Sequence, residues 1–207
     1  MRHEFAILLS GRHGRVRLDC RGGLFVITYV AFLRAVNVGG RVVKMDALRA
    51  LISTLKVTNV ETFIASGNLL FEAPPESDKK IEVAIEKLLR AKLGYEVATF
   101  VRRHDEMAAI QEHRAFPEKV LKEALGLQVG FLKQPLSKDA EVALTKLDIG
   151  TDEFHLHGRE LYWLIRTKIS ESKVSNVKIE KAIGSPITFR NLNTVAKLTA
   201  KTVARVR

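Results

Sequence analysis

The order of strand and helix signals constrains this chain more than any single motif. "ITYVAFLRAV", from Ile27, is an apolar run suited to a buried strand, and "KMDALRALISTLK" sets Met45, Leu48, Ile52 and Leu55 on one helical face. "NVETFIA" and "LLFEA" are short strands joined across Ser66–Gly67–Asn68, residue types that suit a tight hairpin. After Pro74 and Pro75, Ser77 is placed to cap "DKKIEVAIEKLLRAKLG", with Gly94 as its stop, and "YEVATFVR" closes the set. The order is βαββαβ.

The same order returns downstream. "LQVGFLK" reads as a strand, Ser137 precedes a helix over "KDAEVALTKLD", and "DEFHLHG" with "ELYWLIR" forms a hairpin across Gly158. "SKVSNVKIEKAIG" is a helix stopped by Gly184, and "PITFR" is a strand. Between the copies, "HDEMAAIQEHRAFPEKVLKEALG" reads as a helical connector broken at Pro117, and a last helix begins near Asn193, read as its N-cap. The expectation is an α+β fold of two ferredoxin-like units, each a four-stranded antiparallel sheet with helices on one face. The units span residues 27–102 and 126–190, with 103–125 as connector and the last helix completing a second domain over 126–207. The copies share a pattern, with no evident residue identity between them.

Residues 1–26, with scattered arginines, glycines and a short apolar run over Phe5–Leu9, read as a poorly ordered extension. The longest apolar run, Leu24 to Leu33, is far short of the ~20 residues of a membrane span. The lone Cys20 precludes an intramolecular disulfide and a Cys-based zinc cage. A cytoplasmic protein without membrane attachment is expected.

The formal charge of +11 is uneven: residues 1–26 contribute +3, residues 27–157 nothing, and residues 158–207 +8. A basic tail of this kind suits a phosphate-bearing partner, nucleic acid included, and equally suits a solvated, solubilising face.

Two polar clusters stand at helix starts. In the first, Arg34, Asn37, Gly39, Gly40, Arg41 and Lys44 surround a glycine turn, where backbone amides, basic side chains and the helix dipole would hold an anion. The second gathers Arg190, Asn191, Asn193 and Lys197 before and within the last helix, with Lys173 adding to the same basic zone. Asn68, at the hairpin tip, is a further candidate. Ordinary turn and capping chemistry explains each cluster as well. Neither a Walker sequence nor Gly-x-Gly-x-x-Gly occurs, and no Gly-x-Ser-x-Gly or His-Glu-x-x-His is present. His155 and His157 share one face of a strand, but spacing suggests no third metal ligand. The aromatic pattern of RNA-binding sheets is lacking. Cofactor and oligomeric state are not legible.

"YVAFLRAVNVGGRVVKMDALRALI", "NVETFIASGNLLFEA", "YWLIRTKISESKVSN" and "ITFRNLNTVAKL" occur in the order found in a bacterial family, domain of unknown function 1697, which this chain resembles from about Tyr29 to Leu198. The resemblance implies a fold and site positions but no activity. Two residues depart from the family pattern: Ala35 stands where a glycine is usual, and Leu192 where a tryptophan is usual.

Two functions follow as expectations. One is a binding module for a phosphate-bearing partner, with nucleic acid foremost. The other is an enzyme or sensor for a small anionic metabolite held between the two units, which requires the two clusters to meet.

Overall fold

The computed structural model describes residues 26–37, 40, 42–64, 67–168 and 173–206, so the reading of 1–25 lies outside the described residues. Strands β1 (Ile27–Leu33), β2 (Thr58–Phe63), β3 (Asn68–Ala73) and β4 (Thr99–Arg103) form one antiparallel sheet in the order β2-β3-β1-β4. Helices α1 (Met45–Ile52) and α2 (Asp78–Leu93) cover one of its faces. After α3 (His104–Glu112) and α4 (Glu118–Glu123) comes a second sheet of β5 (Gly126–Phe131), β6 (Glu153–His157), β7 (Glu160–Ile165) and β8 (Thr188–Asn191). Its order, β6-β7-β5-β8, repeats the first, with α5 (Lys138–Thr145) and α6 (Asn176–Ile183) on its outer face. Helix α7 (Leu192–Val206) ends the chain's regular structure.

Alternation along the central strands explains the layers. Tyr29, Ala31 and Leu33 point toward α1 and α2, while Val30 and Phe32 point the other way. Those inner faces are not open, as an arrangement with helices on one face alone would leave them. Val30, Phe32, Leu70 and Phe100 share one core with Val129, Phe131, Tyr162 and Leu164 of the second sheet, closed by Met107 and Ile110 of α3 and Val195 and Leu198 of α7. Burial on both faces is why β1 and β7 read as continuous apolar runs rather than alternating ones.

The two copies match in register. Phe32 lies opposite Asn68 and Val30 opposite Arg102, as Phe131 lies opposite Glu160 and Val129 opposite Arg190. This alignment corrects the expectation that no identity is shared. "VAFLR" (Val30–Arg34) is equivalent in register to "VGFLK" (Val129–Lys133), and "VAIEK" (Val83–Lys87) aligns with "VKIEK" (Val177–Lys181), their Glu86 and Glu180 each accepting from a backbone amide at the last strand. Spacers of different length between the matched blocks hide the repeat in the linear sequence.

The edge strand β4 is protected by carboxylates. Its outward amides Thr99, Val101 and Arg103 donate to Glu86, Glu82 and Glu106 at 2.8, 2.9 and 2.9 Å. An exposed row of unpaired amides would otherwise invite another strand. In the second copy, the amide of Ile187 likewise donates to Glu180 at 2.9 Å.

Candidate functional site

The opening loop is braced from within. Asn37 Oδ1 accepts from the Val43 amide at 2.7 Å and its Nδ2 donates to the Val43 carbonyl at 3.4 Å, tying the loop's ends together. Tyr95 OH donates to the Val36 carbonyl at 2.9 Å. Ala35 sits at φ 56°, the left-handed region where a glycine would carry no penalty. Gly40 is exposed at φ 78°, and Lys44 is the exposed residue preceding α1. Gly39 and Arg41 lie outside the described residues.

The hairpin tip and the last strand converge on this loop. Gly67, at φ 75°, accepts from the Leu33 amide at 2.8 Å, and a Cβ there would lie 2.8 Å from Val36 Cγ1. Asn68 is fully buried at the start of β3. Arg190 Nε donates to Asn68 Oδ1 at 2.5 Å, Nη2 to the Leu33 carbonyl at 2.9 Å, and Nη1 to Phe189 O and Thr188 Oγ1 at 2.8 and 2.9 Å. Its guanidinium lies 5.7 Å from the centre of the Phe32 ring, and burial pushes its pKa down to about 10. The two clusters therefore meet at their near ends, through Leu33 and Arg190.

The remaining candidates spread outward. Asn191, rather than Asn193, precedes α7 and accepts from the Asn193 amide at 2.8 Å, because the helix starts two residues earlier than an N-cap at Asn193 requires. Asn193 and Lys197 are exposed on the first turns of α7. Lys173 pairs with Asp148 at 2.8 Å, both side chains exposed.

Sequence reasoning passes over the matching anchor in the other repeat. Arg102, fully buried, holds Glu160 at 2.6 Å through Nε, the Leu132 carbonyl at 2.7 Å through Nη2 and its neighbour's Val101 carbonyl at 2.8 Å through Nη1. Its guanidinium lies 5.4 Å from the centre of the Phe131 ring, and Phe32 and Phe131 stack at 3.8 Å between the two arginines. Each repeat thus sends an arginine from its last strand to the end of the other's first strand. The next residues repeat the exchange: Arg34 pairs with Glu180, and Lys133 with Glu86 at 2.5 Å.

Beside the Lys133–Glu86 bridge lies a cleft of about 430 Å³. Val83, Val97, Ala98 and Pro186 give it an apolar lining, and Glu86, Lys87, Arg90, Glu96 and Lys133 its charge. Arg90 pairs with Glu96 at 2.9 Å. Two other cavities have similar or larger volume, one between α3 and α7 at about 440 Å³ and one on the outside of the second repeat at about 530 Å³. Neither is lined from both repeats, and neither carries a basic side chain. Among the described residues, no group of three or more His, Cys, Asp or Glu is arranged to hold a metal ion.

Several described cations of the basic tail are engaged in ion pairs. Arg159 pairs with Asp78 and Glu106, Arg166 with Glu123 and Glu153, and Lys201 and Arg205 with Glu61. Together with Lys173–Asp148, these ion pairs set five of its cations against carboxylates from residues 27–157, the part with zero net charge.

A family model described as "Protein of unknown function (DUF1697)" matches residues 26–162. The chain belongs to this family. The DUF1697 match thus takes in the first repeat, the connector and the second repeat through Tyr162. The fold is similar to that of the conserved bacterial protein SP0830 from Streptococcus pneumoniae, with a TM-score of 0.67 and 21% identity over 86% of this chain and 99% of that one. Comparison with curated proteins finds no match. No described helix is long and apolar enough to cross a membrane.

Proposed function

We propose that this DUF1697 protein is a cytoplasmic binding protein for a small anionic metabolite, held in the cleft where two ferredoxin-like units join. The observation that carries the reading is the lining of that cleft: Lys87, Arg90 and Lys133 surround apolar Val83, Val97 and Pro186, with both repeats contributing. A few converging charges over an apolar floor suit a phosphate or carboxylate on an apolar body. Lys133 and Arg90 would exchange Glu86 and Glu96 for the ligand's anion, and Lys133 would carry that exchange to the repeat junction. The sequence-based alternative of a binding site between the units is retained in location, with different side chains. The ligand fits either an enzyme's substrate or a sensor's effector, and the reading commits only to binding.

Nucleic acid as the partner rests on the excess charge of residues 158–207, where five of the eleven cations are engaged in ion pairs with carboxylates from earlier in the chain. The experiment is a thermal-shift screen of the full chain against nucleotides, sugar phosphates and carboxylates, followed by calorimetry of hits on Lys133→Ala and Arg90→Ala. A ligand present at a hundred times its Kd raises Tm by about 5–10 °C. Hits are expected to weaken at least about tenfold in both variants, as loss of a charge-assisted contact requires. A salt-sensitive response to oligonucleotides, with none to metabolites, would replace this reading with the nucleic-acid one.

A further inference from the structure

Three imidazoles meet where the connector between the repeats leaves α3. His113, the residue closing α3, places Nε2 3.0 Å from Nε2 of His155 on β6, and its ring stacks on that of His157 with centroids 4.0 Å apart. Phe116, buried in the central core, lies edge-on to His155 at 6.1 Å. We infer that this cluster is a protonation-sensitive latch, holding the connector from His113 through α4 against the edge strand of the second sheet at neutral pH and releasing it in mild acid.

The chemistry follows from the Nε2–Nε2 contact. One ring must donate and the other accept, so at least one of the pair is neutral. A single proton leaves the hydrogen bond intact, but a second turns both nitrogens into donors and removes it. The stacked His157 adds a third site for positive charge. Burial first, then the imidazoles of His157 and His155, hold His113 below its usual pKa.

The surrounding charges do not supply a ready counterion. Tyr162 faces the cluster from β7 and spends its hydroxyl on the Ile110 carbonyl. Glu160, opposite His157 in register, is bound to Arg102, and Glu153 on β6 is bound to Arg166. Glu112 and Arg114 flank His113 on the exposed surface.

Hydrogen–deuterium exchange of the full chain at pH 7.5 and 5.0, corrected for the intrinsic pH dependence of amide exchange, tests this. Residues 113–124, including the Leu121 amide of α4 and the Ala124 amide that closes it, should lose at least about tenfold in protection at pH 5.0, the repulsion of unit charges 3.0 Å apart even in bulk water. Residues 160–165 of β7 should keep theirs. His155→Gln with His157→Gln, and separately His113→Gln, should show no such pH dependence in the connector. Equal wild-type protection at both pH values, or an undiminished loss in the glutamine variants, would overturn the latch.

Discussion

Arg102 and Arg190 hold equivalent places in the two repeats, each reaching out of its own sheet to the carbonyl that ends the other's first strand, at Leu132 and Leu33. One rests against Glu160 and the other against Asn68. Because every element of the junction is given and received, neither repeat's inner face is complete alone.

The Phe32–Phe131 stack should therefore be a strong point of coupling. Phe32→Ala and Phe131→Ala are each expected to cost about 3–5 kcal/mol. The double variant should cost less than their sum by about 0.5–1.5 kcal/mol, the usual surplus of an aromatic pair. Urea unfolding followed by fluorescence of Trp163, the single tryptophan, measures all three. Strict additivity would mean that the rings do not act as a pair.

Arg102→Ala leaves Glu160 buried without its cation, which costs about 3–5 kcal/mol. Combining Arg102→Met with Glu160→Gln removes both charges and keeps most of the volume. That double variant should be clearly more stable than Arg102→Ala in the same denaturation assay.

Ala35, held at φ 56°, is strained where a glycine would not be. Ala35→Gly is expected to raise stability by up to about 1 kcal/mol, the left-handed penalty removed less the backbone entropy a glycine loses on folding. The readout is the midpoint of thermal unfolding.

Glu82 is almost fully buried, and desolvation raises its pKa above the ordinary carboxylate value despite the Val101 amide and the nearby Lys133. A raised folded-state pKa means that the group's stabilising contribution is complete in acid, where both states are protonated. It is lost as pH rises from the ordinary carboxylate value through the raised one. Glu82→Gln retains the oxygen that accepts from Val101 and cannot ionise. Relative to wild type, it should gain stability between pH 4 and pH 7, measured as the difference in urea midpoints. A relative loss across that window would show that Lys133 and Arg102 outweigh burial.

The element order was legible because periodicity and glycine or proline punctuation are local: "LLFEA" and Gly94 announce their structures within a few residues. Asn68 and Arg190 were visible as candidates at a hairpin tip and before the last helix, but not as partners 122 positions apart, since that contact exists only once two sheets face each other. Glu82 sat among exposed-looking helix charges, and nothing local told that it would cover an edge-strand amide. The cleft was missed for a related reason. Lys133 and Glu86 are ordinary surface residue types, and the "FLR/FLK" and "IEK" blocks that could have linked them are hidden by spacers of different length. The pairing of the tail's cations was not legible either, because five of them meet acids that lie earlier in the chain.

The most direct test of the account is calorimetric titration of the strongest anionic hit from the thermal screen into wild type, Lys133→Ala and Lys173→Ala. Binding in the cleft predicts unchanged affinity for Lys173→Ala, whose side chain pairs with Asp148 in the second repeat, and at least about tenfold weaker binding for Lys133→Ala. Equal affinity in wild type and Lys133→Ala would contradict a ligand site at the junction of the repeats.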